Sequence, residues 1–329
     1  MSRKRPRLMK VAGILLVVSL SYELIDAFNY LVVSPLFGHS HANFMGTIAD
    51  TLTEAGHNVT VLMPILNPDM EHQTGLRKTM KVIKVSPDNR TAALFRREAE
   101  LMELLWGTKT TPFNMVELAS YMIQCFTYQC EKVFNDDEVM NVLSEQQFDV
   151  GIAEAIDICG FGVFELLNVK ATIASWSGAY LELLAKAVGI PGAASYVPGM
   201  MSAKGDVMGI FERLKNVLEI LIGSKFFEQM FERENSCFSS KIWRRFQRNF
   251  FPKCPTCFTN SNPYIDYPHP TIHKNVDIGG ITVSPNRENI ELPKSFDDIL
   301  NEQKTNVIIS FGTVIKASHM PENYRYVLD

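Results

Sequence analysis

The chain has 329 residues, 46% hydrophobic and 21% charged, with a formal net charge of −4. That length fits one large or two medium domains, and the apolar content excludes a disordered chain. The charge balance excludes a dedicated nucleic-acid binder, which needs a basic excess to release counterions from phosphates, and six cysteines are too few for a disulfide scaffold of this size.

Residues 1–27 read as a secretory signal. Arg3, Lys4, Arg5, Arg7 and Lys10 form a basic start, Val11–Leu20 a short apolar core, and Ala27 a small residue before the cleavage point. The apolar stretch is about half the length a spanning helix needs; an uncleaved anchor is the other reading. Without these residues the chain carries 27 basic and 34 acidic side chains, a net charge of −7. The glycosylation sequons Asn58-Val-Thr60 and Asn89-Arg-Thr91 fit a lumenal chain. Asn89 is the better acceptor, because Asn58 borders an apolar strand.

Short apolar strands then alternate with amphipathic helices, which predicts an α/β fold with a Rossmann-like open parallel sheet. Strands are expected at Tyr30–Ser34, Asn58–Met63, Lys81–Val85, Asp149–Ala153, Ala171–Ser175, Phe258–Asn260 and Val276–Ile278. Helices are expected at Asn43–Ala55, Ala92–Trp106, Asn114–Phe134, Asp137–Gln147 and Cys159–Leu167. A long helical stretch over Asp206–Phe251 ends in Lys241, Arg244, Arg245 and Arg248, interleaved with Trp243, Phe246, Phe250 and Phe251. It reads either as a helical subdomain packed on the sheet or as a surface lying on membrane headgroups. A charged linker covers Asn286–Lys304, and an apolar strand, Val307–Phe311, leads into Gly312-Thr313. The expected domains are thus 28–285, and a linker with the first strand of a second domain over 286–329.

In open parallel sheets, ligands bind beyond the carboxyl ends of the strands. Two such ends carry chemistry: the loop Pro35-Leu-Phe37-Gly38-His39-Ser40-His41, and Glu154-Ala-Ile-Asp157. An imidazole and a carboxylate so placed can act as a base and its orienting partner. Packing or helix capping is the other role for each histidine. Gly38-His39-Ser40-His41-Ala42 approaches the nucleophile elbow of serine hydrolases but lacks its second glycine. The same loop lacks the glycine pattern of a dinucleotide site, and no acidic residue ends the second strand. Cys254-x-x-Cys257 with His269-x-x-x-His273 has nearly zinc-finger spacing, but Pro263, Pro268 and Pro270 forbid the helix that must present both histidines. No metal is expected, and a disulfide or loop thiols are the simpler role for that pair.

In their order along the chain, these motifs resemble the UDP-glucuronosyltransferases, within the UDP-glycosyltransferase group of GT-B fold. The likeness runs from His41-Ala-Asn-Phe-Met-Gly46, Leu52 and Gly56-His57-Asn-Val-Thr-Val-Leu62 through Phe148-Asp-Val-Gly-Ile-Ala-Glu154. It continues in Asn260-Ser-Asn262, Gly279-Gly-Ile281 and Ile309-Ser-Phe-Gly312-Thr313. The resemblance implies that His41 takes the proton from an acceptor hydroxyl, which attacks the anomeric carbon of UDP-glucuronate or another UDP-sugar with inversion and without metal. The orienting carboxylate falls at Glu154, where the family usually has aspartate, with Asp157 as fallback. Phe37, His39 and Asp157 would border a small lipophilic alcohol or phenol, and Gly312 and Thr313 would approach the donor's phosphates. His39 competes with His41 only if the loop shifts by two residues. The resemblance also implies residence in the endoplasmic reticulum lumen and association with like chains. The family's Trp-x-Pro-Gln and His-x-Gly-x-x-Ser donor elements and its membrane anchor do not occur in these 329 residues. Alone, they are therefore expected to be inactive, since transfer needs both reactants held in line. The rival reading is a non-catalytic lumenal binding or regulatory chain that pairs with full-length relatives; a secreted serine hydrolase is a weaker one.

Overall fold

Two runs rich in valine, leucine and methionine start the sheet: β1 (Asn29–Val33) and β2 (Asn58–Pro64), each buried along most of its length. Burial on both faces is the pattern of strands covered by helices on each side. The computed structural model describes residues 27–104, 112–179, 181–199, 202, 205, 207–235, 237, 256–283, 291–310, 312, 317 and 320–325. The expected signal (but for Ala27) and the expected basic cluster at 241–248 lie outside the described residues.

β3 (Val82–Val85), β4 (Val150–Glu154), β5 (Ala171–Trp176), β6 (Thr256–Thr259) and β7 (Asn275–Asp277) complete a seven-stranded sheet of order β3-β2-β1-β4-β5-β6-β7. Every neighbouring pair is parallel. The fold is therefore the expected open parallel α/β sheet. Its order reverses direction between β1 and β4, and this reversal opens a crevice at their carboxyl ends.

Alternation along β1 divides the core. Val32 joins Val61, Met63 and Ile152 against α1 (His39–Glu54), through Ala42, Met45, Ile48 and Ala49. Leu31 and Val33 face the opposite way, with Leu62 and Ala153. α2 (Asn89–Leu104) precedes the helices that cover that face, α3 (Pro112–Phe134) and α4 (Asp137–Ser144). Phe161, Val163 and Phe164 of α5 (Cys159–Leu166) join the same core. A disulfide between Cys130 and Cys159 ties α3 to the first residue of α5.

The position of α1 is set by the loop that follows β2. Gly75 adopts φ of +71°, and an added Cβ there would strike the Ala42 carbonyl of α1. Only glycine combines that dihedral with that approach. Three successive amides, Arg77 (2.7 Å), Lys78 (3.0 Å) and Thr79 (2.8 Å), donate to the buried Asp50 carboxylate of α1. Burial alone would raise this carboxyl, but the Thr79, Arg77 and Lys78 amides outweigh it and hold it below the ordinary value. Asp50→Ala should lower stability by about 2–3 kcal/mol by orphaning these donors. Because the folded value is the lower one, the contribution is present above the unfolded carboxylate range and fades as pH falls through the folded value. Chemical denaturation across pH should therefore show the gap between variant and wild type closing below about pH 4.

Differences from the sequence reading concentrate beyond β5. A short helix, α6 (Glu182–Val188), was not anticipated; seven residues are too few for periodicity to register. α7 runs over Ile210–Asn235, later in onset than the expected Asp206. Phe227 and Met230 in its second half are buried, whereas Ile210, Phe211, Leu214, Leu218, Leu221 and Ile222 in its first half are exposed. The expected linker contains a helix, α8 (Lys294–Asn301), and a further turn of helix, α9, forms at Glu322–Arg325. Residues 307–310 form no strand. Val307 is 83% exposed and Ile308 75%, because an apolar run becomes a strand only where a neighbour completes its ladder, and none does so among the described residues.

Candidate active site

The reversal between β1 and β4 brings together the two chain ends singled out in the sequence. After Val33 the backbone stays beside β2, with the Ser34 amide donating to Leu62 (2.9 Å) and the Leu36 amide to Pro64 (2.8 Å). It then turns at extended Gly38 into α1, whose third residue is His41. Glu154 is the last residue of β4, paired in register with Ser175 of β5. Helix start and strand end thus meet across the crevice.

His41 Nδ1 lies 2.5 Å from Glu154 Oε1, with the Glu154 side chain wholly buried and that of His41 22% exposed. With a carboxylate as acceptor, Nδ1 carries the proton, which leaves Nε2 as the basic nitrogen. Nε2 makes no hydrogen bond among the described residues. Phe37 packs on the imidazole, ring centroids 4.3 Å apart, and meets Phe126 of α3 edge-on at 5.1 Å. The exposed edge of His41 is therefore bordered by aromatic carbon, a setting for an apolar molecule that offers one polar group.

Ser177 also belongs to the site, and the sequence reading missed it. Its Oγ is 2.8 Å from His41 Nδ1, beside the Glu154 contact. Asn260 holds this turn: its amide group donates to the Ser177 carbonyl (2.8 Å), and its backbone N–H is shared between the Trp176 and Gly178 carbonyls (3.0 and 3.1 Å). Gly279 in turn donates to the Ser261 carbonyl at 2.9 Å. Asn260-Ser-Asn262 and Gly279 thus form the floor that positions Ser177. The signal that could have found Ser177 is its place, directly beyond the carboxyl end of β5.

The other expected residues disperse. His39 sits exposed in the first turn of α1, 3.2 Å from Gln73 Oε1 and without a bond to Glu154. Asp157 is buried and makes no bond to His41. Its Oδ1 accepts the Cys159 amide at 3.1 Å, so the fallback carboxylate is occupied in capping α5. Burial first, and the Glu154 charge second, push Asp157 up to about 7. Gly312 is exposed with φ of +79°, and Thr313 lies outside the described residues. Asn58 and Asn89 are both exposed; Asn58 opens β2 and bonds Asn29 (2.7 Å), so its place beside an apolar strand does not bury it.

Geometry also separates the rival chemistries. Ser40 is exposed and makes no bond to His41 among the described residues. Ser177 and Glu154 both address Nδ1, whereas a hydrolase triad needs its serine on the opposite ring nitrogen. Cys257 is buried inside β6 and His269 bonds the Pro270 carbonyl (2.9 Å); Cys254 lies outside the described residues. Among the described residues, no cluster of three or more His, Cys, Asp or Glu side chains could hold a metal, and no helix is long and apolar enough to cross a membrane.

Comparison with known proteins is consistent across the chain. The model of the family described as UDP-glucoronosyl and UDP-glucosyl transferase matches residues 30–328. The ugt-56 protein of Caenorhabditis elegans is 26% identical over 309 residues, covering 91% of this chain and 56% of that protein. UDP-glucuronosyltransferase 3A2 of Homo sapiens is 25% identical over 313 residues, covering 92% and 57%. The chain thus spans a little over half the length of these curated relatives. Among solved structures, the calicheamicin glycosyltransferase CalG4 superposes with a TM-score of 0.39 at 11% identity, over 78% of this chain and 53% of that one.

Proposed function

Because the chain belongs to the UDP-glucoronosyl and UDP-glucosyl transferase family, we propose that it supplies the acceptor side and the base for transfer of glucuronate from UDP-glucuronate to a small lipophilic alcohol or phenol. The observation that carries this reading is the 2.5 Å contact between His41 Nδ1 and the buried Glu154, which leaves Nε2 basic and bordered by Phe37. In this reading Nε2 removes the acceptor's hydroxyl proton as the oxygen attacks the anomeric carbon from the face opposite UDP. The new C–O bond inverts the centre and UDP departs with the electron pair. The imidazolium so formed is stabilised through Nδ1–H by the Glu154 charge. A carboxylate held in a dry site provides this stabilisation without reorganising during the reaction.

The family uses a UDP-sugar co-substrate and no metal cofactor. The choice of glucuronate over glucose and residence in the endoplasmic reticulum lumen draw on the sequence likeness, and glycosylation at Asn89 and Asn58 on their exposed Asn-x-Thr sequons. A non-catalytic chain that pairs with full-length relatives is the second reading. It draws on the exposed apolar residues of α7, which also fit the membrane-surface contact expected over 206–251. The test uses microsomes from cells expressing the protein from its own gene, supplied with a lipophilic phenol and UDP-glucuronate or UDP-glucose. Mass-resolved glucuronide is the expected product. Glucoside alone would overturn the sugar assignment, and absence of either product with phenol binding retained would favour the second reading.

A further inference from the structure

Glu234, the penultimate residue of α7, is wholly buried, yet a charged residue on a long helix belongs in water unless something holds it. Its Oε2 accepts the Ile158 amide at 2.7 Å. Ile158 is the N-cap of α5 and supplies no side-chain cap of its own. The four-residue turn from Ala155 to Ile158 is thus held from within by Asp157 on the Cys159 amide and from outside, at the Ile158 amide, by a carboxylate on a helix distant in sequence. That turn directly follows Glu154.

We propose that Glu234 is a positioning residue for the Glu154–His41 pair, holding the turn beyond β4 from α7 so that the Glu154 carboxylate stays aimed at Nδ1. The inference rests on the proposed roles of Glu154 and His41. Three further attachments define the frame. The Ala155 amide donates to Ser175 of β5 (2.7 Å), the Asp157 carboxylate accepts from Cys159 (3.1 Å), and the disulfide fixes Cys159 to α3. Glu234 is the only one of these contacts contributed by α7. At its other end α7 is anchored by buried Asn216, which accepts from the Gly199 amide and donates to the Ala194 and Val197 carbonyls, each at 2.8 Å. A helix fixed at both ends by buried polar groups acts as a strut between the 194–199 loop and the turn behind Glu154.

Stability alone does not account for a carboxylate here. Glu234 Oε1 and Glu154 Oε2 are both buried without a hydrogen-bond partner among the described residues. Burial, and then the Asp157 charge, raise the Glu234 carboxyl well above its usual range. An apolar residue would avoid that cost but could not reach the Ile158 amide. The acceptor oxygen is thus the part of Glu234 that the site requires, and glutamine retains it.

The test compares Glu234→Gln and Glu234→Ala in the full protein. One readout is the low-field ¹⁵N-edited proton resonance of His41 Nδ1–H, which reports the Glu154 contact whether or not turnover occurs. Glu234→Gln should keep this resonance and stay within about threefold of wild-type kcat, since the acceptor is retained. Glu234→Ala should shift or broaden it and lower kcat roughly 10- to 100-fold with KM little changed, the size of effect expected from misaligning a catalytic group. An unshifted resonance in a folded Glu234→Ala protein overturns the proposal whatever the activity. If His41→Ala keeps its turnover, the base assignment fails instead, and the resonance still decides whether Glu234 positions Glu154. Equal losses in the Gln and Ala variants would also count against it, because a general packing role predicts no rescue.

Discussion

His41→Ala should lower kcat for sugar transfer by roughly 10²- to 10⁴-fold, the range that a positioned general base contributes. Acceptor affinity should hold within a few-fold, because Phe37 keeps its edge-on contact with Phe126. The fold should tolerate the change. The imidazole is 22% exposed, and Glu154, its one charged partner among the described residues, hangs from β4 rather than α1. α1 itself is held by Phe44, Met45 and Ile48 in the core and by Asp50 on the neighbouring loop. Glucuronide formation in microsomes, normalised to immunodetected protein, measures the effect. Turnover within tenfold of wild type would exclude His41 as the base. The same result in His39→Ala is expected and harmless, since that ring is exposed and tied to Gln73.

What the sequence made legible was local. Tyr30–Ser34 and Asn58–Met63 read as strands because β-branched and apolar residues cluster between breakers, and the structure places them within one residue of that. His41 was legible because strand, turn and helix follow one another within a dozen residues. Glu154 was legible because an apolar run ended on an acid. That the two should touch required the strand order, which no local pattern carries: β4 lies beside β1 although 116 residues separate Val33 from Val150. Ser177 and Glu234 stayed hidden for related reasons. A serine after an apolar run is common, and a glutamate near a helix end reads as a solvated residue. Each becomes specific only when Asn260 or the Ile158 amide arrives from elsewhere in the chain. The failed strand at 307–310 shows the converse: composition was satisfied, and the pairing was not.

The second large effect should come from Glu154→Gln, and it should act on activity and stability in opposite directions. The amide is nearly the size of the carboxylate and its oxygen can still accept from Nδ1–H, so the ring keeps its orientation. What disappears is the negative charge that stabilises the imidazolium as the acceptor proton arrives. A neutral acceptor in a dry site cannot replace it, and kcat should fall roughly 10²- to 10³-fold. Folding gains from the same change. The carboxylate is fully buried, Oε2 has no partner among the described residues, and the Asp157 and Glu234 carboxyls lie in the same buried acidic region. Removing one charge from such a region is neutral or stabilising by up to about 1 kcal/mol. It also removes one of the two causes that lift Asp157, burial and the Glu154 charge, so the Asp157 carboxyl should titrate lower than in the wild type. Thermal unfolding and the transfer assay on the same preparation test both halves. A raised or unchanged midpoint with lost turnover marks a group retained for chemistry at the expense of stability. A midpoint lowered by more than a few degrees would instead make Glu154 a structural anchor and return the orienting role to another residue.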